Sequence, residues 1–302
     1  MREAASLGGT GVGLTAELEI LDSGDTPASA VTAANAAVAA GAKMLIGPLF
    51  SEQARAVVAA VPRGVPVVAM SNDTTLADAG VYVFGITPLH SAQAVLSLAA
   101  GRGLRDIAIV VPPGEFGKRS IEAANSLAGT LGITLRAPVV TGSASGLVAS
   151  IKAAGNGSLP SAVYLPDAGP ELDGFARALA GTGVQILGST QWSSKDLTGK
   201  ADFNDAWFAA PDPLRFEPFA RALAQRVKAP AGILAGLAFD GAEMARLLGR
   251  TGDQTARGLQ RDKGFSGVLG PYRFLKTRLC QRGLAVLKIS DGGTTLIGAT
   301  SV

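Results

Sequence analysis

The chain has 302 residues, enough for two domains that each bury a core. Hydrophobic residues make up 47% and charged ones 17%, which excludes a disordered chain. Aromatics are only 5%, the net charge is +3 and the sequence pI is near 9.1. Lys and Arg are scattered rather than tracked, so composition argues against a nucleic-acid partner. Cys280 is the single cysteine, which rules out an internal disulfide and a cysteine-built zinc cluster. No run of about 18 apolar residues exists to span a membrane, and Met1-Arg2-Glu3 leads into a short amphipathic stretch rather than an export signal.

Along the chain, short apolar runs alternate with Ala-rich helical segments. Ala16–Leu21 reads as a strand, Pro27–Ala40 as a helix closed by Gly41, and Lys43–Ile46 as a strand running into Gly47-Pro48. Glu52–Val61 is helical; Val65–Met70 and Tyr82–Phe84 are strands. The cycle restarts with helix His90–Ala100, strand Asp106–Val111, helix Lys118–Leu131 and strand Ile133–Val140. Helix Leu147–Ala154, strand Ala162–Leu165, helix Glu171–Ala180 and strand Val184–Leu187 follow. Continuous apolar strands between helices indicate parallel sheets covered on both faces, here an α/β chain of two doubly wound, Rossmann-like domains.

After about residue 205 the pattern changes. Ala206–Ala210 is a strand, Phe216–Val227 and Ala231–Leu248 are longer helices, and Gly267–Phe274 and Leu284–Ile289 are strands, with Asp291-Gly292-Gly293 as a turn. A helical pair placed after the second domain, then a β tail, is expected if the chain crosses back between domains.

No catalytic motif survives inspection. Gly8-Gly9-Thr10-Gly11-Val12-Gly13 misplaces the third glycine of a dinucleotide loop, and Gly114–Ser120 is too short for a phosphate loop. Gly142-Ser143-Ala144-Ser145-Gly146 puts alanine where a nucleophile elbow needs serine. His90 is the only histidine, so a triad would depend on it alone. No enzyme, metal or cofactor is expected. What remains are small polar residues at the carboxyl ends of strands, where open parallel sheets bind ligands and the next helix offers free N–H groups. Gly47–Ser51 and Ser71–Thr75 fit this description; the plainer reading is that Ser51 and Thr75 cap helices.

Several segments together resemble the type I periplasmic binding proteins, the branched-chain amino-acid receptors in particular. They are Leu45–Ser51, Val65–Ser71, Val81–Pro88, Glu115-Phe116-Gly117, Leu187–Trp192 with its Gly-x-x-x-Trp spacing, Leu237–Gly241 and Phe265–Phe274. The resemblance implies lobe one over 1–86 and 211–280 and lobe two over 87–210 and 281–302, joined by a three-strand hinge. It implies a non-enzymatic receptor that holds a small polar ligand, amino-acid-like or a cell-wall fragment, in an interlobe cleft and delivers it to the membrane component of an ABC transporter. The family begins with a strand and a Pro-Leu-Ser-Gly-like loop, whereas Met1–Leu7 resembles its first helix, so the resemblance implies that a first strand is missing. It also implies a periplasmic location, with a lipid anchor on the full-length protein left open.

The family's ligand residues carry over unevenly. Ser51 and Thr75 fall where such receptors hold the ligand carboxylate, with Asp73 supplying backbone contacts. Phe116 replaces the usual tyrosine, Ala168 another aromatic, and Thr190 falls where an acid would hold an α-ammonium. An amino-acid ligand therefore requires Asp73 or Asp167 as substitute, because a buried unpaired ammonium is costly. Ser71-Asn72-Asp73, Ala206–Pro213 and Arg282–Leu287 are also similar to the penicillin-binding protein activators of the same fold, lipoproteins that stimulate peptidoglycan synthases. That likeness implies a peptidoglycan synthase as an alternative partner.

Overall fold

The computed structural model describes residues 1–7 and 18–302. The chain divides into two units: Met1–Thr87 with Leu214–Arg282 and Ser301–Val302, and Pro88–Pro213 with Gly283–Thr300. The glycine-rich stretch Gly8–Gly13 lies outside the described residues. So do the first two residues of the expected strand Ala16–Leu21; its described part, 18–21, forms no strand.

Unit 1 opens with α1 (Arg2–Leu7), α2 (Pro27–Ala39), β1 (Leu45–Ile46), α3 (Ser51–Ala60), β2 (Val67–Ala69) and β3 (Tyr82–Val83). Its helix α2 begins with a capping box, in which the Thr26 hydroxyl accepts from Ser29 N–H while the Ser29 hydroxyl accepts from Thr26 N–H. Strands β1, β2 and β3 pair in parallel in that order. Alternation along them separates two cores. Val67, Ala69 and Val83 pack with Ala30, Ala54 and Val57 of α2 and α3. On the other face, Val68, Tyr82 and Phe84 join the residues of the second part of the unit.

Unit 2 begins with α4 (Pro88–Gly101), β4 (Asp106–Val111), α5 (Glu115–Leu131), β5 (Thr134–Leu135), β6 (Val139–Val140), α6 (Leu147–Ala153), β7 (Ala162–Leu165), α7 (Leu172–Leu179), β8 (Gln185–Gly188) and β9 (Trp207–Ala210). The parallel strands run β5-β4-β7-β8-β9, and β6 also pairs with β4. The order reverses between β4 and β7, which is the topological switch point of a doubly wound sheet. The single strand expected over 133–140 is broken into β5 and β6 because Arg136 turns inward. Its Nε and Nη2 donate to the two Asp106 carboxylate oxygens at 2.8 and 2.6 Å, and Pro138 has no N–H to continue a ladder.

The chain then returns to unit 1 with α8 (Pro213–Ala224), α9 (Ile233–Thr251), α10 (Ala256–Leu259), β10 (Phe265–Gly267), β11 (Gly270–Phe274) and β12 (Cys280–Arg282). The last three form an antiparallel sheet. The expected strand 267–274 is thus part of a hairpin turning at Val268 and Leu269, whose N–H groups donate to the Asp240 carboxylate at 2.6 and 3.4 Å. Gly267 is obligatory there: a Cβ would lie 2.3 Å from Asp240 Oδ2. Finally β13 (Ala285–Ser290) adds antiparallel to β9, and β14 (Gly293–Ala299) forms the exposed edge beside it.

At the centre of unit 1, the side chains of Asp240 and Arg282 are both fully buried and pair at 3.2 Å. The guanidinium lies between the rings of Phe84 and Tyr272, 4.8 and 4.6 Å from their centroids. Its Nε and Nη2 have no acceptor, so only ring faces and one carboxylate oxygen offset its desolvation. Burial pushes the Asp240 carboxyl up, against the pull of Arg282 and the two backbone N–H groups. Arg282→Met leaves a buried carboxylate without its counter-charge and is expected to cost about 3–5 kcal/mol. Asp240→Asn/Arg282→Met is expected to recover at least half of that in thermal unfolding, because both charges are gone; a double variant no more stable than the single one refutes the electrostatic account.

Burial raises the Cys280 thiol to about 11, with Arg282 pulling it down and Asp240 adding to the rise. The thiol is thus protonated and shielded at neutral pH, and Ellman's reagent is expected to label it at pH 8 only after denaturation. Its raised value also favours the fold below the ordinary thiol value near 9.0, an advantage lost as pH climbs towards 11. Equilibrium stability is expected to fall across that window, and less so in Cys280→Ala.

Candidate functional site

In unit 1 the carboxyl ends of β1 and β2 converge. Gly47-Pro48 carries the chain from β1 into α3, whose first residue is Ser51; β2 leads through Ser71 and Asp73 into a 3-10 turn, Thr74–Ala77. The Ser51 and Ser71 hydroxyls share a hydrogen bond of 2.9 Å, and Ser71 Oγ accepts from Asp73 N–H at 3.1 Å. Asp73 Oδ1 accepts from Thr75 N–H at 3.1 Å and from the Thr75 hydroxyl at 2.7 Å. Arg55, one turn along α3 from Ser51, donates through Nη2 to Thr75 Oγ1 and stands 3.6 Å from Asp73 Oδ2. Ser51, Asp73 and Thr75 therefore belong to one connected network.

The plainer reading of these residues needs correcting. Phe50 is the N-cap of α3 and Asp73 that of the 3-10 turn, so neither Ser51 nor Thr75 is a cap. One member of the network, Arg55, was not singled out in the sequence, and Ser71 was visible there only as the first residue of its strand-end loop. The four-residue step from Ser51 to Arg55, one face of a helix, was the available signal.

In unit 2, Phe116 and Asp167 follow β4 and β7, the neighbouring strands at the switch point. Helix α5 starts at Glu115, three residues earlier than expected, which puts half-buried Phe116 in its first turn. Gly117 behind it allows the helix to close on the strand end, since a Cβ would lie 2.1 Å from the Pro112 carbonyl oxygen. The Asp167 carboxylate folds back to accept from Gly169 N–H at 3.0 Å. Trp192 lies against Gly188, where a Cβ would come within 2.3 Å of the indole, and its Nε1 donates to the carbonyls of Leu165 and Asp167 at 3.1 and 3.2 Å. The Gly-x-x-x-Trp segment thus braces the end of β7. Thr190 is buried, and its hydroxyl shares a 3.0 Å hydrogen bond with Ser91 of α4. His90 is buried on the same helix. Among the described residues, no group of three His, Cys, Asp or Glu side chains could hold a metal ion.

Polar loops at the carboxyl ends of parallel strands are where open α/β sheets meet ligands, and the fold is that of the type I periplasmic binding proteins. The family model "Periplasmic binding protein" matches residues 2–294, and the chain belongs to that family. Its members are non-enzymatic solute-binding proteins, and the family's setting is the periplasm. A protein from Rhodospirillum rubrum assigned to branched-chain amino acid ABC transport is 20% identical, with a TM-score of 0.83 over 98% of this chain and 94% of its own. A leucine-, isoleucine-, valine-, threonine- and alanine-binding protein from Brucella ovis is 15% identical, with a TM-score of 0.73 over 99% and 88%. A Rhodopseudomonas palustris BisB5 solute-binding protein in complex with 3,4-dihydroxybenzoic acid is also 15% identical, with a TM-score of 0.68 over 99% and 91%. No curated protein matches the sequence.

Gly85 is the support of the unit 1 network. Its N–H donates to the Ser71 carbonyl at 3.0 Å, and a Cβ on it would lie 2.4 Å from that oxygen. Gly85→Ala is expected to push Ser71 out of reach of Ser51 and lower the melting temperature by several degrees. Gly64→Ala, which meets nothing within 4 Å, is expected to leave it within about a degree. Equal melting temperatures for the two variants would show that the Ser71 loop yields freely.

Proposed function

We propose that the chain is the solute-binding component of an ABC transporter and that its ligand is a small carboxylate without an α-ammonium. Ser51, Thr75 and Arg55 of unit 1 would receive the carboxylate, and Asp73 holds their arrangement. The observation that carries this reading is the engagement of both candidate acids. Asp73 is spent on Thr75 and the Arg55 guanidinium, and Asp167 on its own loop. Thr190, where an acid would receive an ammonium, is neutral and bonded to Ser91. An ammonium brought against the Ser51–Thr75 network would face the Arg55 guanidinium, whereas the carboxylate of an aromatic or aliphatic acid would pair with it. Solved relatives in complex with 4-hydroxybenzoate and with benzoate, at 17% and 14% identity, supply the kind of ligand meant.

A second reading, a regulator of a peptidoglycan synthase, draws on Phe50 and Leu214 of unit 1, large apolar side chains 60% and 78% exposed. One thermal-shift panel separates the readings. At roughly 100 times its Kd a ligand stabilises by about 2.7 kcal/mol, a clear rise in melting temperature. Benzoate or 4-hydroxybenzoate is expected to produce that rise and leucine none, and Ser51→Ala/Thr75→Ala is expected to abolish it. A leucine response refutes the exclusion of amino acids, and an equal rise in the double variant refutes the site. Silence across the panel together with capture of a glycosyltransferase–transpeptidase favours the second reading.

A further inference from the structure

The two ends of the parallel sheet in unit 1 differ in charge. Its carboxyl end carries the hydroxyl network, while its amino end is basic. Lys43 lies two residues ahead of β1 and Arg63 four ahead of β2, both exposed. Leu279 bridges in parallel to Val83, and Arg278 O accepts from Val83 N–H, which brings the β11–β12 turn with exposed Lys276 and Arg278 to the same end. Gln260 donates to the Tyr82 hydroxyl at 3.2 Å, which adds the α10 segment with Arg257, Arg261 and Lys263. Residues 250–278 contain seven basic and two acidic residues. The acids at this end are Asp78, Asp253 and Asp262, of which Asp253 pairs with Arg257 at 3.4 Å and leaves that side chain 90% exposed.

Arg278 has a φ of 65°, a left-handed conformation in a tight turn that glycine or asparagine would take at lower cost. Its backbone is held by Arg278 N–H donating to Leu275 O and Leu275 N–H donating to Leu279 O, both at 2.9 Å. Holding a long cation in a strained turn favours a role for the cation rather than for the turn.

We propose that this amino-end rim, with Lys43, Arg63, Arg257, Lys263, Lys276 and Arg278, is an electrostatic docking face for an anionic phospholipid surface. The charges are distributed across the starts of two adjacent strands, a neighbouring turn and the α10 segment rather than converging on one point, which suits a planar array of phosphates more than a discrete anion. A face at this end leaves the Ser51–Thr75 network at the other end of the sheet uncovered.

Co-sedimentation of the whole chain with vesicles tests this. Binding is expected to phosphatidylglycerol–phosphatidylethanolamine vesicles and not to phosphatidylcholine, and to be lost when salt rises from roughly 50 to 500 mM. Lys43→Glu/Arg63→Glu/Lys276→Glu is expected to weaken partitioning at least about tenfold, with an unchanged melting temperature showing that it folds. If that variant does not fold, Lys276→Gln/Arg278→Asn, which keeps a residue tolerant of the left-handed turn, is expected to weaken it about tenfold. Equal binding to phosphatidylcholine, indifference to salt, unchanged partitioning of the folded variants, or displacement from vesicles by an equal charge of RNA would each overturn the proposal.

Discussion

A carboxylate and a guanidinium, both fully buried and paired with each other, organise unit 1. Asp240 sits in the middle of α9, and its partner Arg282 ends β12, the last residue before the chain enters unit 2. The pair does more than cancel charge. The same carboxylate receives the two N–H groups of the β10–β11 turn, the Asp240 carbonyl accepts from the Tyr272 hydroxyl at 3.1 Å, and the Phe84 and Tyr272 rings enclose the cation. Helix, hairpin and parallel sheet are thereby fixed to one another at a single point. Gly241 carries the same logic one residue on, since a Cβ there would lie 2.8 Å from Ile46 of β1. Burying such a pair gains little net stability over an apolar substitute, so its value is geometric: alternative packings strand a charge.

Unit 2 achieves its order by different means. Its sheet is a continuous apolar slab, and the positioning devices lie at the strand ends, where glycines admit a carbonyl or an indole at closer range than any Cβ allows. Both units then present short polar loops at the carboxyl ends of their parallel strands, the region where open α/β sheets meet ligands. The loops are internally hydrogen-bonded. That pre-organisation means little ordering entropy remains to be lost on binding, and it is also the reason acids such as Asp73 and Asp167 are committed to the protein.

The regular βα part of the fold was legible because buried strands read as apolar runs. Asp106–Val111 and Ala162–Leu165 have the expected bounds, and the helices from α2 to α9 lie within a few residues of theirs. The β tail was harder. Gly267–Phe274 looked continuous because the residue that bends it, Asp240, is far away in sequence, and β14 alternates too weakly, on an exposed edge, to be read as a strand. The break in the strand expected over 133–140 was hidden for the same reason, in the distant partner of Arg136. At the candidate site, the strand-end hydroxyls were visible as small polar residues after apolar runs, but their engagement was not. Sequence spacing identifies that Asp73 and Arg55 are present; only the folded backbone puts them on one threonine. The segments that carried the family likeness, Glu115–Gly117, Gly188–Trp192, Asp240-Gly241 and Phe265–Phe274, are mostly packing devices, so the likeness spoke to architecture more directly than to ligand.

The placement of Trp192 has an optical corollary. The chain contains two tryptophans and three tyrosines, and both indoles belong to unit 2. Trp192 is stacked near Phe208 and tied to the β7 carbonyls, while Trp207 lies under the Arg102 guanidinium at 5.1 Å. Red-edge excitation therefore watches one half of the molecule alone. Unit 1 is dark under that light, its Tyr82 and Tyr272 silent, which gives the protein a built-in means of observing the unfolding of one half without labelling either.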